Sequence, residues 1–331
     1  MTMSMSQITV PVLAVFLTGC SVQAAPGRSL TVAIIGQSNE AGAGQQPDPD
    51  IPEDLQHDPV GPKGGAHSMW PTVEAMAAQR GVSMWFWNSA VGATSLVHSW
   101  AGTLRVWEPG MTLAQGDYVL AEGHIFKEMT PNPTTHLLTS TQSPGASPGS
   151  DSLQWQDMGP PRAGEVPDAV FRSGDRLFDP NGYVATALQG LRQHEGEPWV
   201  FISIGQGDAG SYWSVSRVQY AQGLIAVTDA ALAAGAHVAI GFTCGAAKPE
   251  IEQAYQQRLI PGWHDALAYY AGNPRVIPGA NLREALGPLT VQPNLRIGLQ
   301  PDKVHMNDTT YGLASKAWVE ALSRAKVLPR G

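Results

Sequence analysis

TVAIIGQSNEAGAG, residues Thr31–Gly44, changes character halfway along. From Leu30 to Ile35 the chain is an almost unbroken apolar run, without the polar alternation of a half-exposed strand. Such a run predicts a strand buried on both faces, which is how the strands of a parallel sheet read. Past Ile35 the chain turns polar and glycine-rich, and Ser38 stands at the strand's exit between Gln37 and Asn39. A serine there fits a turn or helix cap, or a nucleophile held at the mouth of a sheet. The rest of the chain has to separate the two.

Four further apolar runs look the same: Val82–Trp87, Trp199–Ile204, His237–Thr243 and the short Arg275–Ile277. Residues 70–81, 184–196 and 216–235 carry apolar side chains at helical spacing, and each stretch closes on a glycine suited to a helix C-cap. Residues 313–325 form one more amphipathic stretch at the C-terminus. Strands alternating with helices predict a parallel sheet covered on both faces.

Two segments break the rhythm. Gln45–Gly65 is Pro-rich, acidic and aperiodic, a long loop directly after Ser38. From 104 to 162 come strand-sized pieces such as DYVLA, HIFKEM and LQWQDM, separated by EPG, QGD and SPGASPGS turns. These predict an inserted all-β module within an α/β domain that spans 25–103 and 163–331. Trp107, Tyr118, Phe126 and Trp155 are expected to form the module's small core, with a sugar-stacking face as the alternative.

The chain has 331 residues, is 43% hydrophobic and carries a net charge of −8. No run of Lys or Arg relieves that charge, so nucleic-acid binding, which needs cations to displace phosphate counterions, is not expected. Residues 1–24 read as an export signal, although MTMSMSQ lacks the usual basic residues. The apolar stretch Ile8–Leu17 is too short to span a bilayer, which needs about 20 residues. LTGC at 17–20 resembles a lipoprotein box, with Cys20 as the acylated residue; cleavage after Ala24 is the competing reading. The expected location is therefore outside the cytoplasm: periplasmic, anchored to a membrane through Cys20, or extracellular. Beyond the leader only Cys244 remains, so no internal disulfide is expected, and Cys244 reads as a small buried hydrophobe.

Two local patterns point elsewhere. GASPG at Gly145–Gly149 fits a G-x-S-x-G nucleophile elbow, but Ser147 lacks the strand and helix that give such an elbow its strained turn. GQGDAG at Gly205–Gly210 fits a dinucleotide-binding turn and follows a strand. The acid that should end the next strand is missing there, where Thr243 and Cys244 stand; Asp229 falls inside the helix, and Tyr212 and Trp213 crowd its start. An NAD(P)-dependent oxidoreductase is thus a distant third reading. No H-E-x-x-H motif or Cys/His cluster occurs at ligand spacing, so neither metal nor cofactor is implied.

A third pattern is spread along the chain. GQSN at Gly36–Asn39 follows the first strand, NSAVGATS at Asn88–Ser95 the second and GQGDA at Gly205–Ala209 the third, while PDKVHMND at Pro301–Asp308 lies near the C-terminus. In order and content these blocks resemble those of the SGNH/GDSL hydrolases, most closely the branch with sialate O-acetylesterases and acetylxylan esterases. The resemblance covers nearly all of the chain past the leader except the β module. It implies a flavodoxin-like three-layer α/β/α fold with a five-stranded parallel sheet. It also implies a serine esterase removing acetyl groups from carbohydrate. Ser38 would be the nucleophile, His305 the base, and Asp302, three residues earlier, the group orienting the imidazole.

The oxyanion donors would be the backbone N–H groups of Ser38 and Gly92 and the side-chain amide of Gln206. GQGDAG departs from the family pattern and can be laid on it in two ways. In one, Gln206 donates and Asp208 replaces a glutamate; in the other, Gly207 stands where an asparagine belongs and a donor is lost. Glu40 replaces the family's common Met, and a carboxylate two residues past the nucleophile is expected to repel an anionic acyl group or substrate. Ala93 stands within a usual G-G-T. The runner-up reading keeps the fold without the activity, as a glycan-binding or structural protein.

Overall fold

The structure is a computed structural model that describes residues 27–42, 68–101, 104–113, 117–130, 138–145, 153–160, 179–210, 215–245, 248–290 and 304–330. The chain begins with β1 (Ser29–Gly36), a single helical turn α1 (Ser38–Ala41), α2 (Trp70–Ala78), β2 (Ser83–Asn88) and a π-helical turn at Leu96–Trp100. Short strands follow: β3 (Leu104–Val106), β4 (Met111–Leu113), β5 (Tyr118–Ala121), β6 (His124–Glu128), β7 (Leu138–Ser140) and β8 (Trp155–Gly159). Next come α3 (Tyr183–Gly190), β9 (Glu197–Ser203), α4 (Gln206–Ala209), α5 (Arg217–Ala233) and β10 (His237–Phe242). Helix α6 (Pro249–Ala254) runs through a π-helical turn (Tyr255–Leu259) into α7 (Ile260–Tyr269). The chain closes with β11 (Val276–Asn281), α8 (Leu282–Thr290) and α9 (Asp308–Arg324).

The main sheet has five parallel strands in the order β11-β10-β9-β1-β2. This is the flavodoxin-like arrangement expected from the sequence, with each strand at its expected place. Strand order reverses at β1, which lies between β2 and β9. In open parallel sheets such a reversal opens a crevice outside the carboxyl ends of the strands. The register pairs Ile34 with Asn88 and Gly36 with Ser203, so the three strands release their loops at one level.

Alternate residues of β1 serve opposite faces. Ala33 and Ile35 join Val200, Ile202, Val238 and Ile240 beneath Leu224 and Val227 of α5 and Trp263 of α7. Val32 and Ile34 join Met84, Phe86 and Phe201 beneath Trp70 of α2 and Trp318 of α9. Each such large apolar side chain contributes roughly 1.5–3 kcal/mol by leaving water. Burial on both faces explains why the strand reads as apolar without alternation. Helix α5 starts at a reciprocal cap: Gln219 N donates to Ser216 Oγ at 3.2 Å and Ser216 N to Gln219 Oε1 at 3.0 Å. It stops where Gly235, at φ +87°, turns the chain left-handed.

Not every expectation survives. Helix α3 ends at Gly190, so Gly196 is no C-cap; it is glycine because a Cβ there would sit 2.7 Å from Thr31 Oγ1. Residues 249–269, for which the sequence raised no expectation, are helical although Pro261 lies among them. In the structure Pro261 directly follows the π-helical turn, where Ile260 N bonds back to Tyr255 O and the widened turn takes up the break in the hydrogen-bond ladder. The strands between Leu104 and Gly159 form sheets of their own, β3-β5-β6-β8 and the pair β4-β7. Tyr118 and Phe126 are buried there, and Trp107 and Trp155 pack on the Leu113–Val119–Phe126 cluster, so the aromatics are the module's core. The leader with Cys20, the Gln45–Gly65 loop, Ser147 and Asp302 lie outside the described residues. Among the described residues no helix is long and apolar enough to cross a membrane.

Candidate active site

Ser38 opens α1 directly beyond β1, at the strand-order reversal, and stays partly exposed. As the first residue of a helical turn, its N–H has no intrahelical acceptor. The turn closes through Ala41 N to Gln37 O at 2.9 Å and ends on Gly42 at φ +90°. It can fold back this tightly because residue 36 is glycine: a Cβ there would lie 2.5 Å from the Glu40 Cβ.

Glu40 points under the turn, away from the crevice. It is fully buried, accepting from Ser203 Oγ at 2.7 Å and from Gln37 N at 3.2 Å. Its carbonyl accepts from Trp70 Nε1 at 3.0 Å and Asn88 Nδ2 at 3.1 Å, tying the turn to α2 and β2. Burial pushes the Glu40 carboxyl from the ordinary 4.5 up to about 7, with the Ser203 and Gln37 donors working against that rise. The expectation that Glu40 repels anionic substrates is therefore corrected: it bolts the nucleophile's turn to the sheet.

The two residues flanking Ser38 clamp the other blocks. Gln37 Nε2 donates to Gln206 Oε1 at 3.1 Å, and Gln37 Oε1 accepts from Gly207 N at 3.2 Å. Asn39 Nδ2 donates to the same Gln206 Oε1 at 3.1 Å and lies 3.3 Å from Cys244 Sγ. Asn39 Oδ1 accepts from Met306 N at 2.8 Å, and Asn39 Nδ2 lies 3.4 Å from Val304 O. Gln206 Nε2 also donates to Val304 O, at 3.1 Å. The backbone on both sides of His305 is thus held by the residue next to Ser38 and by Gln206. This brings the C-terminal block to the nucleophile's turn across more than 260 residues of chain.

Gln206 consequently holds the site together with its oxygen and one amide hydrogen, which leaves its second amide hydrogen outside that clamp. Gly207 cannot carry a donor in any alignment, because a Cβ there would overlap the Thr94 carbonyl oxygen. Gly205 is covered in the same way by Tyr220, 2.8 Å from a Cβ to the hydroxyl. Gly205 and Gly207 of GQGDAG thus serve close packing against protein atoms rather than a pyrophosphate.

Asp208 supplies what the sequence only hinted at. It is fully buried, its Oδ1 accepting from Ser95 Oγ at 2.6 Å and Val97 N at 3.1 Å, its Oδ2 from Leu96 N at 2.8 Å. Burial raises its carboxyl above the usual range while these three donors pull it down. Through it the third block sets the path of the second. Gly92, an exposed member of that block, sits with its Cβ direction 3.8 Å from Ser38 Cβ. The Val91 N–H donates to Gly36 O at 3.2 Å, holding this loop over the end of β1. Cys244 is buried beneath Asn39, which matches its bland reading. Gln37, Asn39 and Asp208 were legible only as polar residues placed just beyond apolar strands. Among the described residues no cluster of three His, Cys, Asp or Glu is arranged to hold a metal.

No protein-family model matches the sequence, and no curated protein does. Among solved structures the chain is similar to a family 3 carbohydrate esterase from Clostridium thermocellum, at 13% identity over 91% of this chain and 98% of that one, TM-score 0.43. It is similar to a lipase/acylhydrolase from Enterococcus faecalis at 12% identity, covering 92% and 99% of the two chains, TM-score 0.42. A family two carbohydrate esterase from Clostridium thermocellum, in complex with cellohexaose, matches at 11% identity over 92% and 66%, TM-score 0.39. Likenesses at this level carry no functional assignment.

Proposed function

We propose that the chain is a serine ester hydrolase of the SGNH type. The observation that carries this reading is the hydrogen-bonded clamp of Gln37, Asn39 and Gln206, which gathers the Ser38 turn, the third block and the backbone around His305 at one strand-order reversal. In particular, we read it as a carbohydrate O-acetylesterase working outside the cytoplasm; the acetyl and sugar preferences rest on the resemblance of its four blocks.

In this mechanism Ser38 Oγ attacks the ester carbonyl as His305 takes its proton, and Asp302 steadies the imidazolium that forms. The oxygen that becomes negative is met by the backbone N–H groups of Ser38 and Gly92 and the remaining amide hydrogen of Gln206. Each such donor is worth a few kcal/mol in the transition state. His305 then returns the proton to the leaving alcohol. Water repeats the sequence on the acetyl-enzyme, releasing acetate.

Acetate release measured across a panel of acetylated glycans tests the reading. Ser38→Ala is expected to abolish release while the protein stays folded, since a single partly exposed hydroxyl is lost. Gln206→Ala should lower turnover by roughly 10²–10³. Full activity in Ser38→Ala, together with saturable NAD(P)H binding by the wild type, would overturn the assignment in favour of the dinucleotide reading.

A further inference from the structure

The sequence has no basic run, yet the fold assembles one at the end of the sheet opposite Ser38. Arg28, just before β1, donates to Val327 O at 3.0 Å and pairs with Glu197 at 2.8 and 2.9 Å. Arg80, just past α2, donates to Ser323 Oγ at 2.5 Å and lies 3.4 Å from Pro329 O. Between these two guanidinium groups the chain leaves α9, carrying Lys326 and Arg330, both exposed. A groove of about 410 Å³ runs there, lined by Arg28, Gly81, Val82, Lys326, Leu328 and Arg330. Glu197 is paired with Arg28 and Glu320 lies 3.9 Å from Arg324, while exposed Glu195 accepts through its carbonyl from Ser29 Oγ at 3.4 Å beside them. Among the described residues Lys326 and Arg330 have no carboxylate partner. A cationic face on a chain of net charge −8 is a local reversal of sign.

We propose that this face docks on an anionic phospholipid surface, with the crevice at Ser38 turned away from the membrane. The inference rests on the reading of the chain as exported and anchored through Cys20. Gly27 lies seven residues beyond Cys20 and enters the fold beside Arg28. At about 3.5 Å per residue, that tether holds the basic face within roughly 25 Å of the lipid attachment. Strand β1, at about 3.3 Å per residue, then sets Ser38 roughly 25 Å further out. Charge and tether act together: the lipid anchor keeps the chain at the membrane, and the cationic face sets which side of the fold meets it.

The test uses the full chain with Cys20→Ser, so that no lipid is attached, and two kinds of vesicle. One is phosphatidylcholine alone and the other an equal mixture with phosphatidylglycerol. Any contribution of the apolar leader is common to both. The expected result is preferential, salt-sensitive partition to the anionic vesicles. Lys326→Gln with Arg330→Gln should lower that partition roughly 20- to 30-fold, about fivefold per cation. Small-ester hydrolysis by the same variant should be unchanged, which reports an intact fold. Equal partition to both vesicles, or partition untouched by the double variant, overturns the proposal. So does retention on an acidic polysaccharide with no binding to vesicles. The anchor itself is read separately, from the intact mass of wild-type protein recovered from membranes: an unmodified N-terminus refutes the anchor and leaves the vesicle result standing.

Discussion

Glu40 should make the stability of this protein depend on pH in a way that one substitution removes. Its carboxyl is fully buried with no cation against it among the described residues, and its pKa rises from 4.5 to about 7 on folding. An acid that binds its proton more tightly folded than unfolded stabilises the fold below its unfolded pKa. That contribution is lost as pH rises through the folded value. Between 4.5 and about 7 the folded state holds one proton more than the unfolded state, so stability falls by about 1.4 kcal/mol per pH unit from this group alone. The loss totals roughly 3 kcal/mol, a sizeable part of the 5–15 kcal/mol typical of a folded protein. Glu40→Gln keeps the shape and removes the titration; its Oε1 can accept from Gln37 N while the Ser203 hydroxyl turns from donor to acceptor. Urea unfolding of both proteins at a series of pH values measures the difference directly. The variant should become the more stable of the two, relative to its value at acid pH, as pH passes 7. Parallel stability curves for the two proteins across this range would refute the account of Glu40 as a buried, uncompensated acid.

Other substitutions probe the site's construction. Gly92→Ala meets only Ser38 Cβ, at 3.8 Å, so stability should hold within about 0.5 kcal/mol. Its methyl would crowd the space over the nucleophile, and kcat/KM on an acetyl ester should drop about tenfold or more; an unchanged kcat/KM would remove Gly92 from the site. Gly207→Ala drives a Cβ into Thr94 O and should cost about 1–3 kcal/mol in denaturant unfolding. Asp208→Asn leaves at least one of the Ser95, Leu96 and Val97 donors without its acceptor, costing about 1–3 kcal/mol and lowering kcat as the Gly92 loop loosens. Activity and stability both at wild-type level in that variant would argue that Asp208 does not set the loop's path. Replacing 105–161 by a short Gly/Ser linker should spare cleavage of a small acetyl ester and reduce action on polymer, and equal losses on both would make the module part of the site.

The five strands, their parallel direction and the place of Ser38 at the end of the first were legible in sequence because burial on both faces imposes a local pattern, an unbroken apolar run ending in a polar, glycine-rich turn. Helix 249–269 was hidden because Pro261 breaks the local pattern, while the tertiary packing of Tyr255, Leu259 and Trp263 on β10 and α5 maintains the helix around it. Composition gave a net-acidic chain, and only folding brought Arg28 and Arg80 beside Lys326 and Arg330, which are already neighbours in sequence. The same holds for the site. That Ser38 follows a strand is a local fact; that Asn39 reaches Met306 and that Asp208 holds Ser95 depends on strand order, which no local pattern encodes. Glu40 states the difference most plainly. As a residue two places past a serine it reads as a charge that repels anionic substrates, and only the meeting of β1 with Ser203 of β9 and Asn88 of β2 takes it out of water and gives its proton a pKa near 7.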